Sequence, residues 1–198
     1  ESIDTRVRPG LEAAGADLQH IYIGDAHGQF GRRLQLPNDC ERLERAITKL
    51  GVVLVIVDPI FLFLSPGADI YGATEGARGF MDKIGRVASN TGALILMTRN
   101  LQKRRSDGAL SAGRGSLELA NAARSVLHTQ QVVNTDHYAL SVAACNSGTG
   151  QAKSILYKFR SVNGSGIIDA FGTSTITADE LVAGESGDLE RSQIDRAK

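Results

Sequence analysis

Tryptophan is absent from the 198 residues, aromatic side chains make up only 5%, and neither sign of charge is in excess, 22 Lys and Arg balancing 22 Asp and Glu. The first two shortages argue against a base-stacking platform of the single-strand-binding type. The third excludes a strongly basic nucleic-acid clamp at the level of net charge, although a local basic patch survives, because distribution sets the field a partner feels. Cysteine is scarce too. Cys40 and Cys145 have no second pair, which excludes a disulfide framework or a four-cysteine zinc site and favours a reducing, cytoplasmic setting. No stretch is long enough to cross a bilayer: the longest apolar run, residues 52–64, is broken by Asp58 and Pro59 and falls short of the roughly 20 residues a span requires. The chain opens on Glu1 with no basic-then-apolar leader, and it closes on Lys198 inside a helical pattern, so it reads as part of something longer.

What is present is a globular composition, 42% hydrophobic and 22% charged. Residues 52–57 are almost entirely β-branched, and a continuous apolar run of that length predicts a strand buried on both faces, as in a parallel sheet covered by helices. Residues 18–23, 93–97 and 125–133 read as further strands, and 138–143 with 154–160 as a terminal pair. Helices are predicted between them. Asn38 or Asp39 caps one whose Leu43, Ile47 and Leu50 share a face; residues 74–90 place Ala77, Phe80, Met81, Ile84 and Val87 on another; residues 9–14 form a short one ended by Gly15. This alternation predicts an α/β domain, parallel in its first half and antiparallel in its last strands.

Asp58 is the most informative residue. An acid directly after a buried strand sits at the strand's carboxyl end, where open α/β sheets keep their ligand crevices, and in nucleotide hydrolases a carboxylate there orients a magnesium ion. The plain alternative is that Asp-Pro only begins a turn. The second strand ends in Thr98-Arg99-Asn100-Leu101-Gln102-Lys103, so basic and amide groups again collect where a strand leaves the sheet. Arg114, between glycines, and Arg124, between small residues at a helix-to-strand junction, are candidates for an arginine finger reaching a neighbouring subunit's phosphate; pairing with a local carboxylate is the commoner role. The four histidines show no metal-ligand spacing, and neither cysteine has a nearby histidine partner.

Taken in order, the segments RPGLEAAGADL, LPND, GVVLVIVDPI, TGALILMTRNLQK, GRGSLELANAARSVL and the closing TADEL with ERSQIDRAK resemble the RepA-like branch of hexameric RecA-fold ATPases. The resemblance implies a RecA-like P-loop NTPase core, a mostly parallel sheet flanked by helices with antiparallel strands at its C-terminal end. It implies ATP and Mg2+ as ligands, a homo-oligomeric ring, typically a hexamer, DNA as partner, and a cytoplasmic protein with no membrane association. By position, Asp58 resembles the family's magnesium-orienting aspartate. Arg99 and Lys103 match the basic residues of a motif written Arg-His-Leu-Asn-Lys, so Asn100 stands where a phosphate-sensing histidine is usual. Arg124 resembles the finger arginine of Ala-Ala-Arg-Ser, Arg114 the arginine before Gly-Ser, and Glu1 a water-polarising glutamate. Ala144-Cys145-Asn146 is similar to a Lys-x-Asn motif with its lysine replaced.

The phosphate-cradling loop Gly-x-x-x-x-Gly-Lys-Ser/Thr of that family does not occur. The closest string, residues 147–154, has Ser147 and Ala152 where the two required glycines belong and runs into a strand-like segment. The expected organisation is therefore a core over 1–183 truncated before its first residue, followed by a linker and the start of a C-terminal helix over 184–198. A protein that keeps the fold as a noncatalytic binding or scaffold module is the alternative, motivated by Asn100, Ala144 and the imperfect match at Glu1, where Ser2 stands in place of the family's aspartate, all at positions expected to face nucleotide.

Overall fold

The computed structural model describes residues 3–24, 32–71, 74–102, 107–146, 148 and 152–184. They divide into two compact units, one spanning Ile23–Ala123 and the other combining Glu1–Tyr22 with Arg124–Lys198.

The unit Ile23–Ala123 is built on a single βαβ connection. Helix α2 (Cys40–Leu50) forms because Leu43 and Ile47 recur on one face, and both are buried; Gly51 ends it at φ 64°, a left-handed conformation that favours glycine. Asp39 stands at its cap, but its carboxylate is taken by the Arg32 guanidinium, at 2.7 and 2.6 Å, and by the Gln35 N–H at 2.7 Å, instead of by the first turn of the helix. Strand β1 (Leu54–Val57) and strand β2 (Leu94–Met97) pair in parallel, Val57 opposite Met97, with helix α3 (Thr74–Thr91) crossing between them. Phe80, Ile84 and Val87 of α3 meet Leu43 and Ile47 of α2, together with Val57 and the partly buried Val55, Ile95 and Met97 of the strands. Alternation along each strand leaves the other face open: Leu54, Ile56, Leu94 and Leu96 are exposed, Ile56 by 60% and Leu94 by 66%. The expectation that residues 52–57 are buried on both faces is corrected by this one-sided packing. The short helix α4 (Glu118–Asn121) is tied to α3 by Arg78 Nε donating to Glu118 Oε2 at 2.8 Å.

In the other unit the short helix α1 (Arg8–Ala13) lies where the sequence predicts it. Residues 18–23 do not form the predicted strand. Asp17 caps a single 3-10 turn over Leu18–His20, its carboxylate accepting from the Gln19 N–H at 3.0 Å. The sheet of this unit is antiparallel throughout, in the order β3 (Ser125–Gln131), β4 (Tyr138–Cys145), β5 (Ser154–Val162), β6 (Ser165–Ser174). Helix α5 (Ala178–Ala183), capped reciprocally by Thr177 and Glu180, packs on β3 and β4 through Leu181, which joins Val132, Ala139, Leu156 and Ile176 in a second core.

The expected RecA-like core, a mostly parallel sheet flanked by helices, is therefore incorrect. The parallel part is a two-stranded sheet, and a separate four-stranded antiparallel sheet holds the remaining strands. The physical reason lies in the connections. A parallel neighbour needs a crossover of a dozen or more residues, which α3 supplies once, between β1 and β2. Strand β3 is followed by a tight turn, with Asn134 at φ 61° and the Val132 N–H donating to the His137 carbonyl at 3.0 Å, so β4 folds straight back beside it. Among the described residues no helix is long and apolar enough to cross a membrane. The C-terminal helix and linker expected beyond residue 184 lie outside the described residues.

Candidate functional site

The carboxyl ends of β1 and β2 bring the candidate residues of the first unit together. In parallel register the residues following Val57 and Met97 lie side by side, so Asp58 and Thr98 become neighbours as soon as the strands end. The backbone holds them there. The Thr98 N–H donates to the Val57 carbonyl at 3.0 Å, and the Ile60 N–H donates to the Thr98 carbonyl at 3.0 Å. The Thr98 hydroxyl donates to Asp58 Oδ1, and the Asp58 side chain is exposed.

Beyond Thr98 the chain pairs with the segment that returns toward α4. Leu101 bridges Gly113 in antiparallel fashion, the Gln102 N–H donates to the Ala112 carbonyl at 2.7 Å, and the Arg114 N–H donates to the Asn100 carbonyl at 2.8 Å. Asn100 and Arg114 are both exposed and are thereby fixed next to each other at the mouth of the parallel pair. The Arg114 guanidinium lies over the Phe61 ring, 5.5 Å from its centroid, and Phe61 stacks on Tyr71 with centroids 5.2 Å apart. Phe61 itself follows Asp58 by three residues, in the 3-10 turn Ile60–Phe63 that starts directly after Pro59. A carboxylate, a hydroxyl, an amide and a stacked guanidinium thus share one end of the sheet, where α/β proteins place their ligands.

Arg99 is held differently. Its side chain runs across Gly113, so closely that a Cβ on that glycine would lie 2.1 Å from Arg99 Nε, and its Nη2 donates to the Leu110 carbonyl at 2.9 Å. Burial holds this guanidinium below its ordinary pKa, and Nη1 is buried with no hydrogen-bond partner among the described residues.

Arg124 belongs to the other unit. It is exposed one residue before β3, and its carbonyl accepts from the Asn146 N–H at 3.0 Å. Ser125 pairs with Cys145 across the ladder, so the Arg124 segment and Ala144-Cys145-Asn146, two motifs far apart in sequence, meet at one end of this sheet. Glu1 and Lys103 lie outside the described residues, as do Arg104 and Arg105, which follow Lys103 in the chain, and most of residues 147–151.

Among the described residues no group of three or more His, Cys, Asp or Glu side chains is placed to hold a metal ion. The donors at the end of β1 are nonetheless of the kind Mg2+ takes, since it binds through one or two carboxylates while keeping several of its waters. The Asp58 carboxylate, steadied by Thr98, fits that manner of binding. The residue that motif reading passed over is Thr98. Its signal was positional, a hydroxyl at the same offset beyond the second strand as Asp58 beyond the first. The Phe61–Tyr71 stack and the close approach at Gly113 left no comparable trace in the sequence.

Comparison with protein-family models finds no match for this chain, and comparison with curated proteins finds none either.

Proposed function

We propose that this chain is the ATP-hydrolysing part of a RepA-like ring motor acting on DNA. The observation that carries the reading is the junction of Asp58 and Thr98 at adjacent carboxyl ends of a parallel pair, with Asn100 and Arg114 fastened beside them. In this reading Asp58 is the residue that would hold a magnesium ion, which would supply charge neutralisation at the phosphates of ATP. The Thr98 hydroxyl holds the carboxylate in one rotamer. Asn100 offers an amide N–H to a phosphate oxygen or to the attacking water, and Arg114 supplies a positive charge that its stacking on Phe61 keeps from wandering. Arg124, exposed on the other unit, acts across the interface between copies in a homo-oligomeric, hexameric ring in the cytoplasm.

The test is the ATPase rate of the full-length protein carrying Asp58→Ala. Loss of turnover, about 100-fold or more for removal of a metal-orienting group, is expected. An unchanged rate would overturn the reading and return the chain to a noncatalytic binding role. Arg124→Ala subunits mixed with wild type should depress activity more steeply than their share of the mixture; a strictly proportional decline would remove Arg124 from the interface.

A further inference from the structure

The most constrained polar side chain near the candidate site is one that no phosphate can easily reach. Arg99 follows Thr98 directly, yet it is turned into the chain and not toward the Asp58 carboxylate. Two contacts describe what it does there, and a neighbouring side chain adds a third. Nη2 donates to the Leu110 carbonyl at 2.9 Å. The Arg99 side chain passes so close to Gly113 that Nε, Cζ and Cδ would stand 2.8 Å or less from a Cβ placed there. Gln102, three residues on, adds a second clasp, its Nε2 donating to the carbonyls of Ser111 at 3.2 Å and Gly113 at 3.1 Å. Gly113 is buried and has no positive φ, so its backbone conformation suits alanine; the three atoms nearest to a Cβ there all belong to the Arg99 side chain.

We propose that Arg99 and Gln102 are positioning residues that clamp the 110–114 segment onto the exit of β2 and so set the place of Arg114 over Phe61 at the mouth of the parallel pair. The consequence follows from the backbone. The Arg114 N–H reaches the Asn100 carbonyl only while residues 110–113 are held against residues 99–102, and the direction of the Arg114 side chain toward Phe61 is fixed by that bond. A guanidinium suits the task because its planar fork can lie against a peptide unit and bond a carbonyl at once, which an ammonium cannot. This inference rests on the proposed function only for its effect on turnover. The clamp itself is a property of the fold.

The experiment uses the full-length protein with Arg99→Lys, Gly113→Ala and the double variant, and it reads two quantities. The first is hydrogen exchange at the Gln102 and Arg114 amides, which bond the Ala112 and Asn100 carbonyls across the clamp. Each single variant should speed exchange at both amides by about tenfold, and the double variant should add little, because both remove the same contact. The second is the steady-state hydrolysis of Mg·ATP: kcat should fall by about tenfold with KM within about twofold, as expected when a transition-state contact is misplaced while ground-state binding is kept. Wild-type exchange at the Arg114 amide in both single variants would overturn the clamp. Faster exchange with unchanged kcat would overturn its role in positioning Arg114. Should Asp58→Ala prove neutral, the proposed function fails, and the exchange measurement still decides the clamp.

Discussion

Thr98→Val isolates the single side-chain contact on which the candidate site turns. Valine has the shape of threonine without its hydroxyl, and both backbone bonds of residue 98, to the Val57 carbonyl and from the Ile60 N–H, are untouched by it. What disappears is one hydrogen bond donated to Asp58 Oδ1. Bonds to charged groups contribute about 1.5–3 kcal/mol when buried, and because Asp58 is exposed, water replaces much of the loss, leaving about 1 kcal/mol. Global stability should therefore move by less than about 1 kcal/mol in a urea titration. Turnover should respond more, since an aspartate free to rotate spends less time facing the metal's water shell. A penalty of about 1–1.4 kcal/mol in the transition state corresponds to a 5- to 10-fold fall in kcat at saturating Mg·ATP. Thr98→Ser should keep nearly the wild-type rate, because it keeps the donor. If Thr98→Val and wild type turn over equally while Asp58→Ala is inactive, orientation of Asp58 by Thr98 is refuted.

The remaining predictions concern parts of the fold that support this end of the sheet or the second core. The Arg32 fork and the Gln35 N–H hold the Asp39 carboxyl below its ordinary pKa. A depressed folded-state pKa gives stability that is present above the unfolded value near 4 and is lost as pH falls through the folded value, so Asp39→Asn should flatten the acid limb of a Tm-against-pH curve below about pH 4; parallel curves for variant and wild type would refute it. Leu181→Ala removes a side chain that is 1% exposed and joins α5 to the sheet, and should cost about 2–5 kcal/mol by urea titration. Thr177→Ala breaks the reciprocal cap of the same helix and should cost roughly 1 kcal/mol, visible as faster amide exchange at Glu180, whose N–H the threonine accepts.

The helices were legible because their apolar spacing is local: Leu43 with Ile47, and Phe80 with Ile84 and Val87, mark faces that need no knowledge of the rest of the chain. Strand positions were largely legible for the same reason, and strand pairing was not. The run 52–57 satisfies the pattern of a strand covered on both sides, but composition cannot report whether a second layer of helices is supplied, and Leu54, Ile56, Leu94 and Leu96 stand open. Strand β6 escaped notice because Gly166, Gly172, Ser165, Thr173 and Ser174 blur the alternation. Its turn carried a plainer message. Asn163-Gly164, with φ of 51° and 79°, is the pair that a two-residue hairpin turn favours, and it commits β5 and β6 to antiparallel pairing before any packing is considered. At residues 18–23 the local chemistry of Asp17 prevailed over apolar content: a carboxylate able to take the Gln19 N–H, and the His20 Nδ1 at 2.8 Å, closes a turn where β-branched neighbours suggested extension.

The same logic of alternation separates the candidate site residues more sharply than motif matching did. Asp58 was recoverable because it ends a strand, and Arg99 and Asn100 were grouped with it because they follow the next strand. In an extended chain successive side chains leave on opposite sides, so residues 98 and 99 cannot both address one ligand. Thr98 is turned to Asp58 and Arg99 to the Leu110 carbonyl, which is that alternation carried one residue past the end of β2. The guanidinium at position 99 therefore makes no direct contact with a phosphate bound at this end of the sheet, and the charge at the mouth must come from a segment that returns to it. Arg114 meets that requirement through its backbone bond to Asn100 and its stacking on Phe61. The glycines on either side of it follow from the same geometry: Gly113 leaves room for the Arg99 guanidinium, and Gly115, at φ 92°, turns the chain away where a Cβ would meet Leu119 at 3.1 Å and the Ile70 carbonyl at 3.3 Å.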